Sequence, residues 1–248
     1  MNTEEQRLIK RFSELSERAN SRGIWVYSDF LNMNEQSLLL NSGERNFILL
    51  GGYENAERKI AVFGNENDIG YGFSLPVKCI CIKPLNAKFS DALTHRDFLG
   101  ALMSLGIKRE MTGDIVLNEN DAYLFCIESI SKYITENIYQ IKHTTVSCEE
   151  LESVPDNLCG KLSEKIIITA SDRADAVICG VFNFSRNVCS DMFGAKKIFI
   201  NGKITESPSV KLKENDLISV RGYGKFRYKG SFGETKKGRI KSLVDVFI

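Results

Sequence analysis

The apolar residues in the first third of the chain fall into helical and extended patterns. Within residues 3–22 they recur three or four positions apart, which is the spacing of one face of a helix. A capping sequence opens this helix and Gly23 ends it. A second helix is predicted after Asn34, followed by strands at 46–50 and 59–63. The pattern therefore predicts a small N-terminal α/β domain.

From residue 77 the patterns follow one another more regularly. The predicted elements are a strand at 77–83, a helix opened by the capping sequence at 94–97, strands at 114–117 and 122–127 joined by the polar turn 118–121, a helix through 130–138 and a strand near 144–148. This βαββαβ order is that of the ferredoxin-like fold. The middle of the chain is therefore predicted to be an RRM-like domain.

Two aromatic residues of this middle region are candidates for contact with bases. Tyr123 and Phe125 lie two positions apart on a predicted strand and so share one face of it. In RRM modules such aromatic side chains stack on RNA bases. The RNP1 consensus is absent, however, and aromatic residues on a strand are also typical of a core. Base stacking and core packing both remain open.

The C-terminal third begins with two short helical patterns and continues into a hairpin. Apolar residues within 174–182 have helical spacing, and Ser185 is placed to cap a second helix. Asn201-Gly202 lies between alternating segments and predicts a β-hairpin, because both turn positions take a positive φ. A turn at 213–216 then leads into a strand at 217–221.

Charge separates the C-terminal third from the rest of the chain. Residues 164–248 contain 16 lysines and arginines and 9 aspartates and glutamates, a net charge of +7, whereas the preceding residues carry −6. Such an asymmetry is typical of a protein that binds a polyanion through one end. A solvated basic face without a ligand would have the same composition.

Neither a membrane span nor a metal site is predicted. No apolar run approaches the length of a transmembrane helix, and the N-terminus lacks the apolar core of a signal peptide, so we expect a cytoplasmic protein. The seven cysteines have no repeated spacing. Cys79 and Cys81 could suggest a metal, but they have no matching second pair and suit one face of a strand. We therefore predict that they pack in a core.

Several short motifs resemble those of known RNA-binding proteins. The ordered landmarks of the S4 domain are matched by Arg173-x-Asp175, Phe184-Ser185-Arg186, Ile198-x-Ile200-Asn201-Gly202-Lys203 and Asn215–Val220. With the tail 221–227, the block Gly51–Arg58 and Gly113-Asp114-Ile115, nearly the whole chain resembles the YlmH family of bacterial S4-domain proteins. Three positions depart from the S4 pattern, namely Ala174 for Leu, Cys189 for Ala and Lys196 for Gly. The last changes the backbone requirement just before the hairpin and adds a charge.

The resemblance completes the predicted organisation, which is multidomain and α+β. Its parts are an N-terminal α/β domain at 1–74, the RRM-like, ferredoxin-like βαββαβ domain at 75–152, a linker at 153–163 and an S4 domain, with a small helix pair and a hairpin sheet, at 164–248.

The resemblance implies binding to structured ribosomal RNA of the large subunit, a possible contact with a bound tRNA, and a part in the rescue of stalled ribosomes. We expect the protein to be a monomer. Phosphate contacts are expected from Arg173, Arg186, Lys196, Lys197, Lys203, Lys225 and Arg227. The candidates for a secondary RNA contact are Arg96, Lys108, Arg109, Tyr123 and Phe125. The three basic residues flank the helix opened at 94–97 and could equally be solvated helix ends. Arg173 and Arg186 could instead form ion pairs with Asp175 or Asp191.

An enzyme is not expected. The chain contains no pseudouridine-synthase Gly-Arg-Leu-Asp motif, no synthetase ATP-binding motif and no Gly-x-Gly loop of a methyltransferase. Two isolated histidines make poor material for a catalytic triad. We therefore expect neither a catalytic residue nor a cofactor. The alternative function is an accessory to an RNA-modifying enzyme, or a scaffold whose S4 domain binds protein.

Overall fold

The computed structural model describes residues 3–86, 91–118, 121–155, 158 and 162–247. The chain forms two compact units, Met1–Cys159 and Gly160–Ile248. Both combine helices with antiparallel sheets, so the fold is mixed α and β. The predicted linker spans the division between the units and lies partly outside the described residues, as do Glu119 and Asn120 of the predicted polar turn.

The first unit begins with helices around a three-stranded sheet. Its elements are α1 (Thr3–Arg22), β1 (Val26–Tyr27), α2 (Met33–Leu40), β2 (Phe47–Leu50), β3 (Ile60–Phe63) and α3 (Glu66–Ile69), with the strands in the order β1-β3-β2. The predicted apolar face of α1 is buried through Phe12 and Ala19. Helix α2 begins earlier than predicted, because Asn32 and Glu35 form a reciprocal capping box with bonds of 3.0 and 2.6 Å.

The rest of this unit is a five-stranded sheet with two helices on one face. Its elements are β4 (Val77–Pro84), α4 (His95–Ser104), β5 (Thr112–Asn118), β6 (Asp121–Ile127), α5 (Glu128–Asn137), β7 (Gln140–Ile141) and β8 (Thr144–Leu151). The strand order is β5-β6-β4-β8-β7. Leu102 of α4 and Ile134 of α5 pack with Leu124 of β6 in one core cluster. The strand and helix order follows the prediction, with β7 as a short addition.

The other face of this sheet packs against the N-terminal elements. Phe125 has no exposed surface and lies in one cluster with Phe30 and Ile60. The close approach requires glycine at position 113, where a Cβ would lie 2.7 Å from Phe30 Cε1. The regions predicted as separate domains at 1–74 and 75–152 therefore share a core and form one compact unit.

The second unit is a six-stranded antiparallel sheet with a helix pair on one face. Its elements are β9 (Leu162–Thr169), α6 (Ala174–Phe182), α7 (Arg186–Gly194), β10 (Ile198–Ile200), β11 (Lys203–Ile204), β12 (Leu217–Val220), β13 (Gly224–Glu234) and β14 (Ile240–Phe247), in the strand order β11-β10-β12-β13-β14-β9. Ile178 and Phe193 of the helices pack on Phe226 of the sheet. The predicted hairpin turn is confirmed by positive φ angles of 50° at Asn201 and 76° at Gly202.

The cap of α4 gives a testable pH dependence. The Asp97 carboxylate accepts hydrogen bonds from the side chains of Lys142, at 2.8 Å, and Thr94, at 2.7 Å, which lower the pKa of Asp97 to about 2. An acid with a lowered pKa stabilises the fold above its unfolded pKa, and this contribution is lost as the pH falls through the folded value. We expect Asp97→Asn to lower the free energy of unfolding at pH 7.

The difference in the free energy of unfolding between the wild type and Asp97→Asn should shrink as the pH falls from about 4 to 2, because the wild-type carboxylate becomes protonated in this range. Urea unfolding followed by the fluorescence of Trp25, the single tryptophan, measures this at each pH. Glu152→Gln, at an exposed carboxylate, is the control and should leave the curve unchanged. A difference in the free energy of unfolding that stays constant down to pH 2 would show that the charged Asp97 carboxylate does not stabilise the fold.

Candidate nucleic-acid interface

The helix pair of the second unit carries the two arginines of the S4 landmarks. Arg173 is the N-cap of α6, and its guanidinium donates two bonds, of 3.0 and 2.8 Å, to the Asp175 carboxylate. These bonds raise the pKa of Arg173. The ion pair considered from the sequence is therefore present for Arg173, and part of its charge is offset within the chain.

Arg186 is in a different situation. It is the first residue of α7, whose start is capped by Ser185 Oγ accepting from the Val188 N–H at 3.3 Å. Arg186 is exposed, and in the described part of the chain it makes no ion pair, with Asp191 or with another carboxylate. Its charge is therefore available for an anion.

Both arginines line a cavity of about 460 Å³. A third arginine, Arg239, also lines it and comes from the segment between β13 and β14. With three arginines and one aspartate among its lining residues, the cavity carries a net charge of +2. Guanidinium groups suit phosphate, because their planar donors can form two parallel hydrogen bonds to its oxygens. The cavity has the chemistry of an anion-binding site.

The predicted lysines of the hairpin region are exposed. They are Lys196, Lys197 and Lys203. Lys196 forms an ion pair with Glu206 at 3.2 Å, and its φ is 56°. This is the left-handed conformation that favours glycine. The backbone geometry of the family's usual glycine is therefore retained at position 196, with a side chain that must tolerate it.

Lys225 and Arg227 lie on the opposite face of the sheet from the helix pair. They alternate along β13 with Phe226, which is buried in the core beneath the helices. The Lys225 ammonium lies 4.7 Å from the centre of the Phe247 ring, and the Arg227 guanidinium lies 5.9 Å from it. Burial, followed by the charge of Arg227, lowers the pKa of Lys225. The predicted cations therefore do not form one patch.

The secondary contact predicted in the first unit is only partly exposed. Arg96 is exposed, and Lys108 lies 4.0 Å from Glu110 in an exposed ion pair. Arg109 Nη1 donates to the carbonyls of Thr112 and Gly113 and to the Thr112 hydroxyl, at 2.7–2.9 Å. Arg109 thus helps to hold the start of β5, and burial lowers its pKa to about 10.

For Tyr123 and Phe125 the sequence left base stacking and core packing open, and the structure favours core packing. Tyr123 is 8% exposed and Phe125 is not exposed at all. The Phe125 ring stacks on Tyr53, with the ring centres 4.8 Å apart. The N-terminal elements occupy the sheet face that an RRM-type platform would present to bases, so the alternative of core packing holds for both residues.

A half-buried carboxylate of the first unit was not predicted as a key residue. Asp114 accepts hydrogen bonds from the Tyr53 hydroxyl at 2.8 Å and from the backbone N–H groups of Glu57 and Arg58 at 2.6 and 3.1 Å. Burial raises the pKa of Asp114 despite these bonds. The motifs Gly51–Arg58 and Gly113-Asp114-Ile115 therefore meet here, and their contact is structural.

The cysteine pair considered as a metal candidate lies in a core. Cys79 and Cys81 are buried side by side in one core cluster, as predicted, and burial raises the pKa of Cys79 to about 12. Within the described ranges, no three His, Cys, Asp or Glu residues are grouped as a metal would need. The same residues include no helix long and apolar enough to cross a membrane.

Comparison with known proteins finds a family model, a relative and a solved structure that are similar to this chain. Residues 78–154 match the model of a family described as "Putative RNA-binding domain in YlmH". A relative from Bacillus subtilis (strain 168), named "Ribosome-associated protein quality control protein P2", is 29% identical over 220 residues, which cover 86% of this chain and 83% of that protein. A solved structure, "Cell division protein ylmH from Streptococcus pneumoniae", is 17% identical with a TM-score of 0.49, over 61% of this chain and 93% of that chain.

The family model covers the central sheet and its helices, from β4 to the segment after β8. The alignment with the Bacillus subtilis relative is longer than either compact unit and so reaches into both. The motifs that carry the resemblance are likewise divided between the two units. Over most of its length, and in both units, the chain is therefore similar to proteins of the YlmH family.

Proposed function

We propose that this protein binds structured RNA, and that its second compact unit is an S4 domain that makes the main contact. The observation that carries the proposal is the cavity lined by Arg173, Arg186 and Arg239 on a unit of strongly positive charge. Arginines that line one cavity suit the phosphates of a folded RNA surface. Lys196, Lys197 and Lys203 are exposed around the hairpin of the same unit and are proposed as further phosphate contacts.

The proposed partner is ribosomal RNA of the large subunit, with a bound tRNA as a second contact. The relative from Bacillus subtilis is named as a ribosome-associated quality control protein, which supports a role in the rescue of stalled ribosomes. In this proposal the protein acts in the cytoplasm as a monomer, without enzymatic activity or a cofactor. The basic unit supplies affinity by contacting phosphates, which lie on any RNA surface.

The first unit has a different part in the proposal. Its central sheet is proposed to be an RRM-like domain. The antiparallel strand order β5-β6-β4-β8 supports this proposal, and the matching family model is described as RNA-binding. Because residues 1–163 carry −6, this unit cannot attract RNA by its overall charge. It is proposed to select the RNA neighbourhood through local groups such as Arg96 and Lys108, which are exposed around α4.

Crosslinking in cells tests the proposal. The full chain is crosslinked to RNA by ultraviolet light, purified under denaturing conditions, and the attached RNA is sequenced. Enrichment of one region of large-subunit ribosomal RNA would support the proposal. Crosslinks to tRNA alone would show that tRNA, and not ribosomal RNA, makes the main contact. An absence of RNA above an uncrosslinked control, with protein recovered instead, would favour the scaffold alternative.

Arg186 provides a test at one residue. We expect Arg186→Ala to weaken binding to purified large ribosomal subunits about tenfold, since one charge-assisted contact to phosphate contributes about 1.4 kcal/mol or more. The control Lys229→Ala removes one exposed charge from the same unit and should weaken binding less than about twofold. Both variants should melt near the wild-type temperature. Equal effects of the two substitutions would refute a specific role for Arg186.

A further inference from the structure

One cation of the arginine cavity lies outside every motif of the family resemblance. Arg239 belongs neither to the S4 landmarks nor to the tail 221–227. It reaches the cavity because β14, which follows it, pairs with β9, the strand that precedes α6. The long connection along the sheet thus adds a residue from the end of the chain to the helix pair.

Local structure holds Arg239 in place. The turn before it is closed by the Gly238 N–H donating to the Thr235 carbonyl at 2.9 Å, and the Arg239 N–H donates to Thr235 Oγ1 at 3.1 Å. The guanidinium Nη2 then donates to the Ile168 carbonyl on β9 at 3.2 Å. This contact uses one of the five N–H donors of the side chain. Arg239 is therefore fixed at the cavity with donor capacity remaining.

The charge arrangement favours an anion in this cavity. Arg173 is engaged by Asp175, but neither Arg186 nor Arg239 makes an ion pair with the residues that the structure describes. Two cations facing one cavity repel each other, and an anion between them removes this cost. Since Arg239 is exposed, a ligand can reach it from solvent.

The cavity is larger than a phosphate requires. A volume of about 460 Å³ falls in the range of sites that hold whole small ligands, roughly 300–1,000 Å³. Beside the arginines, the wall includes the apolar atoms of Ile168, Ala176 and Cys179. A charged side for phosphate and an apolar side for a base or sugar together suit one nucleotide that is not stacked in a helix.

We propose that this cavity holds one unpaired nucleotide of the bound RNA, and that Arg239 contacts its phosphate together with Arg186. The inference rests on the proposed RNA binding and adds to it both the form of RNA that is recognised and a contact residue. Contacts with phosphates alone would bind a regular duplex as well. A cavity that holds one nucleotide would instead require an unpaired nucleotide at the second unit.

The test compares two charges in the same turn. Arg239→Gln removes the proposed contact, whereas Lys237→Gln removes an exposed charge two residues away that does not line the cavity. Affinity for large ribosomal subunits purified from Bacillus subtilis should fall about tenfold for the first and less than about twofold for the second. Arg239→Lys, which keeps the charge but loses the two-pronged geometry, should lie between them. Equal losses for Arg239→Gln and Lys237→Gln would overturn the proposal.

Chemical protection tests the same contact in the wild-type chain, so that it does not depend on a variant folding. Phenylglyoxal modifies accessible arginines, and mass spectrometry measures the extent at Arg239 and at Arg96, an exposed arginine of the other unit. Uridine monophosphate, inorganic phosphate and ribosomal subunits are added separately. The proposal expects subunits to protect Arg239, uridine monophosphate to protect it at high concentration, and phosphate to protect it less.

These measurements distinguish a failure of the nucleotide cavity from a failure of RNA binding as a whole. If the wild type does not bind subunits, RNA binding itself fails. If it binds them and Arg186→Ala weakens binding, but Arg239 is neither protected nor needed, the S4 contact stands and the nucleotide cavity fails. Protection by uridine monophosphate but not by subunits would show a site for a free nucleotide, and would also overturn the proposal.

Discussion

Replacing Asp114 by alanine should destabilise the first unit by roughly 3–5 kcal/mol. Three donors lose their acceptor, namely the Tyr53 hydroxyl and the N–H groups of Glu57 and Arg58. Loss of the acceptor from each of these half-buried donors costs about 1 kcal/mol or more, the lower end of the range for buried donors. The half-buried guanidinium groups of Arg58 and Arg109 also lose a neighbouring negative charge. Removal of one charge from a buried, hydrogen-bonded set typically has an effect of this size.

The measurement is urea unfolding followed by the fluorescence of Trp25. This is the only tryptophan of the chain, and it lies in the first unit, with its indole N–H donating to the Tyr71 carbonyl at 2.8 Å. The signal therefore reports unfolding of this unit. Glu54→Ala is a matched control, because it removes an exposed carboxylate from the segment between β2 and β3 that also contains Glu57 and Arg58. It should change the free energy of unfolding by less than about 0.5 kcal/mol.

Asp114→Asn separates hydrogen bonding from space filling. The asparagine amide keeps the size and one acceptor, but its NH₂ group faces backbone donors and cannot accept from them. We therefore expect a loss between those of the alanine variant and the control. If Asp114→Ala unfolds at the wild-type urea concentration, the carboxylate does not hold the two motifs together, and their meeting in the core needs another cause.

The local elements of this protein could be predicted because their causes are local. The capping box at Thr94 and Asp97 and the Asn201-Gly202 turn depend on residues close in the sequence. The strands β9, β13 and β14 escaped prediction. Strand β13 has register shifts near Gly230 and Gly233, which disturb the alternation of apolar and polar residues that marks a strand.

Two features of the candidate site depend on non-local packing and could not be predicted from the sequence, namely the cover over Phe125 and the position of Arg239. Residues 122–126 form a continuous apolar run, and such a run is typical of a strand buried on both faces. This feature could have favoured the core for Phe125, but not shown what covers it. Arg239 enters the cavity only because β14 pairs with β9, more than 70 residues earlier in the chain. Sequence periodicity carries no information about such a pairing.

The second large effect expected is that of salt on RNA binding. The separation of a +7 segment from a −6 segment implies that contacts with phosphates supply most of the affinity. If about four phosphates are contacted, affinity for large ribosomal subunits should fall roughly a hundredfold between about 50 and 200 mM KCl, because bound cations are released from the RNA. Magnesium is held constant, so that the subunits keep their structure.

Separate fragments for the two compact units can show which unit causes the salt dependence. A fragment of residues 160–248 keeps the whole of β9 paired with β14 and should retain a salt dependence close to that of the full chain. A fragment of residues 1–159 should bind weakly, and its affinity should change little with salt. Arg186→Ala in the full chain should reduce the slope of log affinity against log salt by about one. A flat salt dependence of the full chain, or a steep one confined to residues 1–159, would show that the main RNA contact has been assigned to the wrong unit.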